Sequence, residues 1–183
     1  MNGKKIVIDK PYVKKLIRDL NKYCFTAGTE KYAISKGIKT ITPKIMKSVL
    51  ADKEGYIEFA RYVNWSYKQA QKIIIRNRLK IERADKAKTI EYVGSYTKHY
   101  VLALLRDYAD CIAWIMLQFD ISAIRNVFLG PKRQTNLDDQ NWDSIERSLA
   151  YFNKDPDQFA LATDLTSFFQ VGDLYCVNTK KGE

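Results

Sequence analysis

The sequence has little of what cross-links, punctuates or anchors a chain. Its three cysteines, Cys24, Cys111 and Cys176, lie far apart and form no CxxC pair. That spacing argues against a disulfide framework and against a zinc site, and it fits a reducing cytoplasm. A single histidine, His99, excludes histidine-rich metal sites and two-histidine catalytic pairs. Only 8 Gly and 4 Pro occur beside 46% apolar residues, which excludes collagen-like and disordered chains. The start, MNGKKIVIDK, has no apolar signal core. The most apolar stretch, 100–119, contains Arg106, Asp107 and Asp110, too many ionisable groups for a membrane span. It reads as a buried helix. No GxxxxGK[ST], GxGxxG or GxSxG pattern is present, so ATP, NAD and serine-hydrolase chemistry lose their usual support.

What the chain does have is basic charge, unevenly placed. Its 183 residues carry a net +10. Residues 1–90 hold 22 Lys/Arg against 8 Asp/Glu, or +14, and residues 91–183 hold 9 against 13, or −4. Such a split points to a polyanion partner for the first half. The plain alternative is a solvated basic helix face.

Hydrophobic spacing predicts a mostly α chain with a small C-terminal β element, an α+β arrangement. Pro11 opens a helix over 11–23 with Tyr12, Leu16, Ile17 and Leu20 on one face. Residues 27–42 read as a loop with a short helix near 30–35. Thr42-Pro43 caps a helix running to about Ala51. Short helices follow over 55–63 and 66–80, and 81–88 is a charged linker or a helical extension. A long apolar helix runs from about Gly94 to Gln118. A further turn or two is expected over 120–128, a polar loop over 131–140 and a helix over 141–151. Leu174–Val177 reads as a strand and 178–182 as a hairpin turn. The chain stops at Glu183, where a second strand is expected, so the length reads as that of a piece. Two regions follow: a basic helical domain over 1–85, and 86–183 leading into an incomplete α+β core.

The segment 56–76, YIEFARYVNWSYKQAQKIIIR, places small Ala60 four residues before Asn64. Trp65 and Ser66 follow, the latter a helix-capping residue. This resembles the helix-turn-helix of DNA-binding regulators, with Asn64 standing where that family usually has Gly. The resemblance implies a recognition helix opened by Ser66, with Lys68, Lys72 and Arg76 on phosphates. Tyr67 and Gln71 would approach base edges, and Arg78 and Lys80 would extend the basic face. The alternative is an ordinary helical hairpin.

Residues 172–183, GDLYCVNTKKGE, put a carboxylate after Gly at the start of a strand. This resembles the first half of the PD-(D/E)XK nuclease motif, with its E-x-K half missing. The resemblance implies Asp173 as an Mg2+ ligand and Glu146 as a helical acid, in a longer protein of which this chain alone is inactive. The leading expectation is therefore a DNA-binding piece of a DNA-processing nuclease, with RNA as another partner. The alternatives are a non-catalytic DNA-binding regulator, dimeric through helix 100–119, and a helical protein-interaction module. No membrane partner is expected.

Overall fold

The computed structural model describes residues 5–118, 120, 142–169 and 172–180. Among them the chain is mostly helical with two small sheets, as the spacing predicts. Strand β1 (Ile6–Ile8) leads into helix α1 (Lys10–Asn21). The Asp9 carboxylate caps α1 by accepting from the Tyr12 N–H at 2.9 Å, and Pro11 sits in the first turn where no donor is needed. Five residues of π-helix (Lys22–Thr26) carry α1 into α2 (Ala27–Ser35). The predicted loop at 27–42 is thus helix over its first nine residues. Gly28 allows this, because the helix lies directly on α4 (Lys53–Lys86). A Cβ there would stand 2.9 Å from the Tyr62 carbonyl oxygen, so only glycine fits the crossing. Helix α3 (Pro43–Ala51) begins at its Thr42 cap as predicted.

The 34-residue α4 corrects the helix-turn-helix expectation. Residues 56–76 are helical without a break, so Asn64 and Trp65 lie mid-helix rather than at a corner. Two things hold the helix through this point. No Gly or Pro occurs between 56 and 86, and asparagine in a helix costs only about 0.7 kcal/mol relative to alanine. More decisively, Ala60, Tyr67, Ile74 and Ile81 recur at every seventh residue, with Asn64, Gln71 and Arg78 interleaved, and all seven are buried. That is a heptad seam. A turn at Asn64 would throw its two halves onto different faces. Segment 81–88 is the extension of this helix as far as Lys86.

Strand β2 (Ile90–Tyr92) then pairs in parallel with β1, Ile6 opposite Ile90. Helix α5 (Lys98–Met116) starts at its Thr97 cap, three residues after the predicted Gly94, which instead makes a turn at φ +68°. It buries Val101, Leu102, Leu105, Ala109, Ile112 and Ala113. The helix expected to join two copies therefore spends these side chains on the chain's own core. No helix among the described residues is long and apolar enough to cross a membrane. The elements predicted over 121–140 lie outside the described residues. Helix α6 (Trp142–Phe152) follows, then strand β3 (Gln158–Ala162), which the sequence pattern does not announce. It pairs antiparallel with β4 (Leu174–Asn178). The predicted strand thus finds its partner upstream. One cluster of buried side chains draws on both sides of residue 85, with Leu20, Ile74, Leu105 and Leu161 all in it.

Candidate functional site

The interleaved polar positions of α4 have a common task. Asn64 Nδ2 donates to the Pro156 carbonyl at 3.4 Å, Lys68 Nζ to the Asp155 carbonyl at 2.6 Å, and Arg78 Nη1 to the Asp164 carbonyl at 2.9 Å. Gln71 uses both ends of its amide: Nε2 donates to the Ala160 carbonyl at 2.9 Å and Oε1 accepts from the Ala162 N–H at 3.1 Å. It behaves as a neighbouring strand would, satisfying the outer edge of β3. Asn153 completes that edge by holding both backbone groups of Ala160. Arg78 is 2% exposed and also pairs with Glu82 at 3.0 Å. Burial pushes its guanidinium and the Lys68 ammonium below their ordinary pKa ranges.

This corrects most of the predicted recognition surface. Ser66 donates to the Tyr23 carbonyl at 2.5 Å, and the Tyr67 ring packs on Phe159 with centroids 5.9 Å apart. Burial lifts the Tyr67 phenol to about 12. Ser66, Tyr67, Lys68, Gln71 and Arg78 are all buried, because Ser66 faces the π-helical segment and the other four stand on or beside the seam that meets residues 155–164. None of them is presented to a groove of DNA. The seven-residue recurrence was the signal that distinguishes these positions from an outward face.

The remaining three candidates do face outward. Lys72, Arg76 and Lys80 follow one another at four-residue spacing on α4 and are exposed. Among the described residues Lys72 and Arg76 have no hydrogen-bond or ion-pair partner. The Lys80 ammonium sits 5.4 Å over the Tyr12 ring. The row borders a groove of about 860 Å³ between α4 and α6. Trp65, Ile75, Leu79, Leu149 and Pro156 give the groove apolar walls, Lys68, Lys72, Arg76 and Lys154 give it positive charge, and among the described residues Glu146 is its one carboxylate. A shallower hollow of about 510 Å³ continues past Arg76 and Leu79 to Lys80, Arg83 and Thr89. The sequence did not reveal the groove, since its second wall comes from a helix some seventy residues away.

The two predicted acids do not share a cavity. Glu146 is exposed on α6 and lines the groove. Asp173 is exposed in the turn that precedes β4, after Gly172 at φ +71°. Among the described residues no group of three or more His, Cys, Asp or Glu stands close enough to hold a metal ion. The donor set for Mg2+ is not assembled there, and no catalytic step follows from these two side chains. A different acid, Asp157, emerges as structurally important. Its side chain is 4% exposed and is gripped by Arg61 from α4 and by Lys180 at 2.6 Å. The Arg61 hydrogen bond, with help from Lys180, holds its carboxyl down at about 2.

No protein-family model matches the chain, and neither a curated protein nor a solved structure matches it. A functional reading therefore stands on the geometry alone.

Proposed function

We propose that this chain binds nucleic acid through the outward row Lys72, Arg76 and Lys80. One observation carries the reading: three exposed cations stand one turn apart on a rigid helix, two of them without a partner among the described residues. Neighbours four residues apart on a helix are separated by about 6 Å. That is close to twice the rise of about 3.4 Å per phosphate along one strand of a duplex. The row thus meets phosphates rather than base edges. With Tyr67 and Gln71 committed to the interior, the contact is tolerant of sequence, and DNA and RNA share the chemistry that is recognised. The three cysteines are free thiols, in keeping with a reducing cytoplasm as the site of action.

Fluorescence anisotropy at several salt concentrations tests this. Three phosphate contacts give a log–log salt slope of about −2 to −3 on duplex DNA. Replacing Lys72, Arg76 and Lys80 together with Ala should weaken binding at least tenfold and flatten the slope. Lys47→Ala, on exposed α3, serves as the control for general charge. A triple variant that binds like the wild type, with an unchanged slope, overturns the proposal.

A further inference from the structure

We infer that the α4–α6 groove receives unstacked bases, so that single-stranded nucleic acid is the preferred ligand over duplex. The inference rests on the phosphate-row reading and goes beyond it. Lys72 and Arg76 belong both to the row and to the groove wall, so a strand whose phosphates follow the row passes directly along the groove mouth. A duplex cannot exploit that neighbour, because its bases are stacked and paired inside a convex cylinder. A single strand can turn its bases inward.

The groove has the chemistry such bases need. At about 860 Å³ it lies within the range of roughly 300–1,000 Å³ typical of small-ligand sites. Trp65, Ile75, Leu79 and Leu149 offer an aromatic and aliphatic bed, which accepts the flat face of any base. Gln69 lines the groove with an amide that has no partner among the described residues, available to a base edge. One spare amide is too little to encode a sequence, which agrees with the sequence tolerance of the row. Positive charge at the rim, opposed among the described residues only by Glu146, favours a ligand that carries phosphates on one side and apolar rings on the other.

The test compares a twelve-nucleotide oligo-dT with a duplex of equal length at the same salt. Tighter binding of the single strand by tenfold or more is expected. Ala150 is exposed and lines the groove, so Ala150→Trp fills it without entering the core. That variant should lose at least tenfold on the single strand and leave the duplex unchanged. Should its circular dichroism or Tm show misfolding, Gln69→Trp obstructs the groove from the opposite wall. Equal affinity for both forms, with neither variant having an effect, overturns the groove while leaving the row intact. Absence of any salt-sensitive binding by the wild type overturns the row itself. A poly-glutamate peptide that displaces oligo-dT and is itself blocked by Ala150→Trp would assign the groove to an acidic protein segment instead.

Discussion

Gln71 joins two backbone groups at the edge of β3, the Ala160 carbonyl, which Asn153 also reaches, and the Ala162 N–H, which Asn153 does not. Its replacement by Leu keeps the volume and removes both partners, leaving the Ala160 carbonyl one hydrogen bond short and the Ala162 N–H with none from α4. A buried group so orphaned costs about 1–3 kcal/mol, and because the Ala160 carbonyl keeps its Asn153 bond, Gln71→Leu should lower stability by about 1–3 kcal/mol in urea unfolding. A loss below about 0.5 kcal/mol would show that the amide is not engaged. Gly28 has the opposite character. Alanine is the better helix former by about 1 kcal/mol, yet its methyl would press on the backbone of α4. Gly28→Ala should therefore destabilise by about 1–3 kcal/mol, and an increase in Tm would refute the close crossing. Asp157 sets a pH dependence. Its folded pKa of about 2 lies below the unfolded value of about 3.9. The stabilisation it provides is complete above pH 4 or so and disappears as pH falls towards 2. Tm measured between pH 2 and 5 should fall less steeply in Asp157→Asn than in the wild type.

At the scale of the element, α4 decides most of the architecture, and Asn64 distinguishes a continuous helix from a turn. In a tight turn glycine would be welcome at 64. In mid-helix it should cost about 1 kcal/mol more than alanine at the same position. Comparing Asn64→Gly with Asn64→Ala by thermal melting checks this, and equal stability of the two would restore the turn. Caps and first-turn prolines made α1 and α3 legible in the sequence, because those signals act within three or four residues. The same local logic failed at Asn64. Tolerance of a turn is not a demand for one, and the seam that overrides it becomes visible only over three heptads. Strands β1, β2 and β3 were missed for a related reason. Two are three residues long, too short for alternation to stand out, and β3 reads QFALA with four buried residues in a row, without the alternation of a half-exposed strand.

Across the whole molecule, the part of the charge asymmetry that α4 carries divides into two populations. Lys68 and Arg78 bind the backbone of the C-terminal segment, while Lys72, Arg76 and Lys80 look outward. Composition alone could not separate them, since burial depends on a segment more than eighty residues downstream. Residues 1–90 pack and hydrogen-bond onto that segment. The core cluster and the polar stitching both cross the division expected at residue 85. Expression of residues 1–90 alone should give a chain with a weakened or absent cooperative melt. A sharp transition near that of the full chain would show that the N-terminal half folds independently.

The stitching also imposes a gauge. Asn64, Gln71 and Arg78 meet Pro156, the Ala160–Ala162 edge and Asp164 in ascending order, so helix and strand travel in the same direction. Two heptads of α4, an advance of about 21 Å, separate Asn64 from Arg78, and eight residues separate their partners, Pro156 and Asp164. Those eight run through a turn, the strand β3 and a turn of 3-10 helix, so the two chains agree at the stitches rather than at every residue between them. A single residue inserted or deleted between two stitches, on either side, would put every later pair out of step. A change of length on one side of these contacts therefore calls for a compensating change on the other. Drift in loop lengths elsewhere carries no such condition.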